Sequence, residues 1–260
     1  MKVHLKKPYL ISWRSRYQFI STRRKIYDSH FFALNLNKEI MKKEFQLNNS
    51  SILIMGCILM VIPMLSHPHI TSIEALMNAP GKMFSMNIFT HSVAMLSIPF
   101  VLFGLWSLTR LLNCKLASIA FITASFGMFA IMCATTMDGL VTTLFINKIR
   151  NLAPEISQVK LLIAYVGSMV QSFSIVYVFT ICIAIFIWSV LIANSNLLPK
   201  WVGYYGMSIV IAAMIAIVKG VVFVDFIGIK IFVVGFVSYT LILGVCLRQF
   251  EKKKVSNSII

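Results

Sequence analysis

The stretch VQSFSIVYVFTICIAIFIWSVLIAN, residues 170–194, runs for 25 positions without one charged side chain. As a helix it rises about 37 Å, more than the roughly 30 Å of a bilayer's hydrocarbon core. Soluble domains break their apolar runs with charges well before that length, so the segment predicts a membrane span. Scanning outward on the same criterion gives five more: approximately 202–223 and 229–247 downstream, and 116–138, 88–109 and 50–67 upstream. The span nearest the N-terminus is short and carries Pro63, so its polar flanks must reach the interface. The expected fold class is all-α: a polytopic transmembrane helix bundle of six spans.

Composition agrees. Of 260 residues, 58% are hydrophobic and 12% charged, with a mean hydropathy of +0.85, far from a soluble domain. The formal charge of +16 raises the question of nucleic acid, but no nucleic-acid-binding motif accompanies it. Its distribution points to lipid instead. The tail, the 110–115 turn, Lys200 and the C-terminus hold 18 Lys and Arg, whereas the opposite side of the predicted topology holds six. Without residues 1–40 the ratio is nine to six. Cationic loops stay on the cytoplasmic side, so both termini are expected there. Cys57, Cys114, Cys133, Cys182 and Cys246 form no C-x-x-C pair and read as small apolar residues.

Three parts follow: a basic tail over 1–47, the six-helix domain over 48–250, and a basic C-terminal tail over 251–260. Residues 1–40 lack the apolar core of a signal peptide, and NKEIMKKEFQLNNSSILIMG (37–56) reads either as a fresh start at Met41 or as the end of a disordered or lipid-surface basic tail. From Pro154 to Ala193 nothing stops a helical pattern. That implies roughly 60 Å of helix, whose first turns stand outside the bilayer unless it breaks near Gly167. The turn Leu198-Pro199-Lys200-Trp201 ends one span and anchors the next at the headgroups.

MFAIMCATTMDGLVTTLF (128–145) places Asp138 inside an otherwise uncharged run. A carboxylate at the bilayer centre costs about 2.5–3.5 kcal/mol on insertion scales, and less near the interface, so it calls for a partner, water or an aqueous cavity. Alternating span direction puts the other candidates on the same, outer side. LSHPHI (65–70) supplies His67 and His69, FTHSVAML (89–96) supplies His91, and the fourth span supplies Gln171 with Ser168 and Ser174. Thr135 and Thr142 share a helical face with Asp138 at ideal spacing. His67, His69, His91, Asp138 and Gln171 are therefore the candidate ligand-binding residues, with His67, His91 and Asp138 the candidate metal ligands. The spacing matches no recognised metal motif, and a hydrogen-bonded knot between spans is the competing reading.

HPHI (67–70), THSVAMLSIPFVLFGLWSLTRLL (90–112), TTMDG (135–139) and IWSVLIANSNLLPKWVGYYG (187–206) resemble an uncharacterised family of small bacterial integral membrane proteins. The resemblance spans about Ser50 to Leu247. It implies six helices in the bacterial cytoplasmic (inner) membrane and no established activity; residues 1–40 fall outside it. The expected function is binding or moving a small molecule or lipid through an outer-leaflet polar cavity. Alternatives are a membrane-embedded metal-dependent hydrolase, a haem protein with His67 or His69 opposite His91, or an accessory or scaffold subunit. Ceramidase-like hydrolases carry a late histidine pair, and no histidine follows His91. Walker A, G-x-S-x-G and H-E-x-x-H motifs are absent, and no internal repeat points to an inverted-repeat transporter. Expected partners are the lipid bilayer and a small-molecule or lipid ligand, with no nucleic acid.

Overall fold

The computed structural model describes residues 49–66, 73–152, 155–219 and 226–256. Met41, the basic tail, His67, His69 and the last four residues lie outside them. The described part is all-α: α1 (Asn49–Ser66), α2 (Ile73–Met77), α3 (Gly81–Leu112), α4 (Lys115–Thr135), a π-helical turn (Thr136–Val141), α5 (Thr142–Ile149), a 3-10 turn (Arg150–Leu152), α6 (Ile156–Asn194), α7 (Lys200–Val218) and α8 (Phe226–Ser256). Six helical segments are long and apolar enough to cross a membrane, α4 to α5 counting as one, which makes this a multi-pass membrane protein.

Each span packs on its neighbour in sequence, through α3 on α4, α4 on α6, α6 on α7 and α7 on α8. The last then closes on the first. Ser50 Oγ donates to Glu251 Oε2 at 2.7 Å, and Cys57 Sγ to Thr240 Oγ1 at 3.2 Å. Tyr177 of α6 meets Phe232 and Phe236 of α8 edge-on, with ring centroids 5.6 and 6.5 Å apart. Trp188, Tyr177, Tyr239 and Phe236 are the largest fully buried side chains. Asn49 and Ser256 lie at one end of the bundle, called here the termini end; the other is the far end.

Why these helices turn the faces they do is clearest in α4. Ala117, Ala120, Ala124, Gly127, Ala130 and Ala134 are buried, while Leu116, Ile119, Ile122, Phe126 and Phe129 are exposed. Apart from the fully buried Met128, small side chains inside and large apolar ones outside suit a helix whose solvent is lipid. Association there comes from close backbone approach and not from removing apolar surface from water.

Several helices outrun a bilayer. The 39 residues of α6 rise about 58 Å, and the helix is unbroken at Gly167. Of the two readings of that segment, the break near Gly167 does not occur and the helix is continuous. Ile156, Leu161, Leu162 and Tyr165 on its first turns are exposed. The third span also continues past its expected end at 138, through the π turn to Ile149. No helix-stopping residue follows Gly139, and Ile146 is buried in a small far-end cluster with Ala79, Phe84 and Val159. Arg150 ties this cap together: Nη1 donates to the Ala79 carbonyl at 3.2 Å, and the guanidinium lies 5.1 Å from the centroid of the Phe84 ring. Lys160 and Glu74 pair at 3.2 Å, an exposed contact of small energetic consequence.

Pro99 sits inside α3 without ending it. Ser97 Oγ donates to the Ala94 carbonyl at 2.6 Å, one residue before the Met95 carbonyl that the missing Pro99 N–H would have met.

Candidate functional site

Exposed Arg110 and Lys115 bracket the α3–α4 turn and set it at headgroup level. His91 stands 21 residues before Leu112, and Asp138 23 residues after Lys115. At about 1.5 Å per residue both lie roughly 32–34 Å from the turn, a distance comparable to the thickness of a ~30 Å hydrocarbon core. The pair meets there: His91 Nε2 is 3.4 Å from Asp138 Oδ2.

Three local features aim the histidine. Its Nδ1 lies 2.9 Å from the Asn87 carbonyl, one turn back on α3. A carbonyl only accepts, so Nδ1 carries the proton and the other ring nitrogen faces Asp138. The flat side of the ring rests on Gly139, where an added Cβ would overlap His91 Cγ, Cδ2 and Cβ. Asn87 also ties α3 to this segment: its amide donates to Thr143 Oγ1 at 2.7 Å and to the Gly139 carbonyl at 3.5 Å. The second of these, at the limit of hydrogen-bonding distance, is much the weaker.

The π turn presents the carboxylate. In it the Thr142 N–H bonds the Met137 carbonyl five residues back, one residue more per turn than an α-helix allows. The extra residue changes the face expected from α-helical spacing. Thr135 Oγ1 returns to the Ile131 carbonyl at 2.7 Å and Thr142 Oγ1 to the Met137 carbonyl at 2.9 Å, so both hydroxyls serve their own helix and not Asp138. Thr136 Oγ1 likewise returns to its own helix, at 2.8 Å from the Met132 carbonyl, and also lies 3.3 Å from Met95 Sδ on α3.

The pair is asymmetric in exposure. The His91 side chain is 7% exposed and that of Asp138 is 55% exposed. One partner is held rigidly inside the bundle, and the other opens at its flank. The cavity expected around Asp138 is thus a half-open edge. With Nδ1 on the Asn87 carbonyl, Nε2 is the ring nitrogen that faces the Asp138 carboxylate, and a proton on it makes the contact an ion pair.

Of the remaining candidates, His67 and His69 lie outside the described residues. Gln171 is exposed on α6, and among the described residues no hydrogen bond or ion pair joins it to His91 or Asp138. Ser168 Oγ returns to the Ala164 carbonyl at 2.9 Å, and Ser174 is buried. Among the described residues no three His, Cys, Asp or Glu side chains converge as a metal cage. Sequence reasoning missed Asn87, Gly139 and Thr143. The four-residue step from Asn87 to His91 and the Asp138-Gly139 dipeptide were the available signals. No protein-family model, curated protein or solved structure matches the chain.

Proposed function

We propose that this is a multi-pass protein of the bacterial cytoplasmic membrane, with both termini in the cytoplasm, that binds a small molecule or lipid at the outer boundary of the bilayer through His91 and Asp138. The carrying observation is the 3.4 Å approach of a buried, oriented imidazole to a half-exposed carboxylate, about one bilayer thickness along the helices from the cationic α3–α4 turn. A ligand entering from the interface meets the carboxylate first and the ring nitrogen behind it. Ionisable side chains at such depths are expensive to keep without a partner, and a purely structural knot gains nothing from leaving one of them open. The 18-to-six distribution of Lys and Arg supports the orientation. The resemblance to small six-helix bacterial membrane proteins supports the compartment and supplies no activity.

Mass spectrometry of small molecules and lipids retained by the protein, extracted with native lipid into nanodiscs, tests the reading. At least one species is expected on the wild type and lost from Asp138→Asn; identical retained sets would overturn it. A Ser256→Cys substitution in a cysteine-free background should resist labelling from the periplasm. Labelling there would reverse the orientation.

A further inference from the structure

We infer that the exposed stripe of α6 is the interface of a parallel homodimer, in which this helix packs along its counterpart in a second copy of the chain. The stripe is the first observation. Leu161, Tyr165, Ser168, Ser172, Ile175 and Phe179 are all exposed, and their alternating spacing of four and three residues puts them in one line down the helix. Ile183 and Phe186 continue it. Its backing is thin at the far end: between Ile156 and Phe173 only Val159 is buried, and a Cβ added at Gly167 would meet nothing within 4 Å.

Length is the second observation, and it argues against lipid as the cover over the whole stripe. Lys160 is the one charged residue of α6, so the 34 residues from Leu161 to Asn194 are uncharged. They rise about 51 Å, some 20 Å more than a hydrocarbon core. The neighbouring helix marks which end is in excess. An added Cβ at Gly203 would meet Ser189 and Ala193, and one at Gly206 would meet Ser189, so α7 runs antiparallel to α6. At about 1.5 Å per residue its last residue, Val218, comes level with about residue 176 of α6. Farther out α6 continues alone past the end of α7, which itself rises only about 28 Å, one hydrocarbon thickness. In that extension Leu161 is 76% and Tyr165 59% exposed, an apolar surface that water covers poorly.

A second copy is the occupant that fits. Two copies inserted the same way share a twofold axis along the membrane normal, so α6 meets α6 in parallel and at the same height, and each far-end extension covers the other. No charge lies on the stripe, and Lys160 beside it pairs with Glu74 at 3.2 Å, so like residues face like without repulsion. Ser168 and Ser172 Oγ donate to the Ala164 and Ser168 carbonyls of their own helix, each at 2.9 Å. They bring no unmet hydrogen bond into the contact, and their small size lets the two backbones approach closely. Over the roughly 45 Å from Ile156 to Phe186, a contact about 11 Å wide, the width of a helix, covers about 500 Å² on each copy. The total of about 1,000 Å² reaches what a biological interface needs.

Cross-linking tests it. Ser168→Cys and Ser172→Cys on the stripe, and Phe126→Cys on the exposed face of α4, are each introduced into the full chain with its five native cysteines replaced by alanine and oxidised in native membranes. A disulfide-linked species of twice the chain mass is expected from at least one stripe position and not from Phe126→Cys. Monomer alone at both stripe positions would overturn the inference, as would equal cross-linking at Phe126→Cys or a product whose mass shows a different protein. A second measurement keeps the native cysteines and so stands if the cysteine-free chain folds poorly: counting of bleaching steps for the fluorescently tagged chain, diluted in liposomes. Two copies per spot are expected for the wild type and one for Ser168→Trp, a position exposed in the single chain. One copy for the wild type, or two for Ser168→Trp, would overturn the interface. Neither readout involves His91 or Asp138, so the ligand reading stands or falls separately.

Discussion

Gly206 and Gly139 are contact points of the same kind at different levels of the bundle. Each lacks a side chain so that a polar ring from another helix can lie on the backbone. A Cβ at Gly206 would overlap Ser189 Oγ and approach Tyr239 Cε2 to 2.6 Å; one at Gly139 would overlap His91. Around Gly206 everything is enclosed: Ser189 and Tyr239 are both 0% exposed, with Ser189 Oγ donating to Tyr239 Oη at 3.5 Å. Around Gly139 the histidine is enclosed and its partner Asp138 is open. Enclosure makes the first a register pin between α6, α7 and α8. One open side makes the second accessible from outside the bundle.

Gly206→Val attacks the closed contact and should have the largest effect on stability. No neighbour can retreat into lipid, and overpacking of a filled interior costs about 3 kcal/mol. Thermal unfolding in detergent should show a lower midpoint and a smaller folded fraction. A wild-type midpoint would mean that the Gly206 contact is slack.

Gly139→Ala should lower stability less, by about 1–2 kcal/mol, because a methyl is smaller than the isopropyl group of valine and the Asp138 flank beside the buried ring is open. Its main signature is functional: ligand binding should fall with the displacement of His91. Unchanged binding would show that the ring's seat on Gly139 is irrelevant.

Asn87→Ala removes the donor to Thr143 and Gly139 and should cost about 1 kcal/mol. Ser189→Ala, in the closed pair, should cost about 0.6 kcal/mol, the average found for hydrogen bonds between membrane helices. Urea or mild-SDS unfolding distinguishes the two. A Ser189→Ala loss above that of Asn87→Ala would invert their ranking.

Asp138→Asn should change stability least, by about 0.5 kcal/mol or less, while removing ligand binding. Combined with His91→Ala its effect on binding should be non-additive, since either change alone removes the pair. Simple additivity would separate the two residues and dissolve the contrast between the ends.

The six spans were readable because apolar length is a one-dimensional property: uncharged runs such as 170–194 must cross or be buried, whatever their neighbours do. The association of Asp138 with His91 was partly readable, since alternating span direction sets depth. What depth cannot supply is azimuth. In uniformly apolar helices the lipid face and the packing face carry no hydropathy contrast, so α4 hides its inner side in small residues that a hydropathy scan passes over.

The sequence by itself determined the membrane class, the number of spans and the level at which His91 and Asp138 lie, because each follows from residue counts along a helix of fixed rise. Only the tertiary structure decided that the third span runs on to Ile149 through a π turn, that Thr135 and Thr142 turn away from Asp138, and that Asn87 and Gly139 aim the imidazole. These depend on one inserted residue per turn and on which helix approaches a glycine. Both are set by packing between segments about 50 residues apart, which no local pattern encodes.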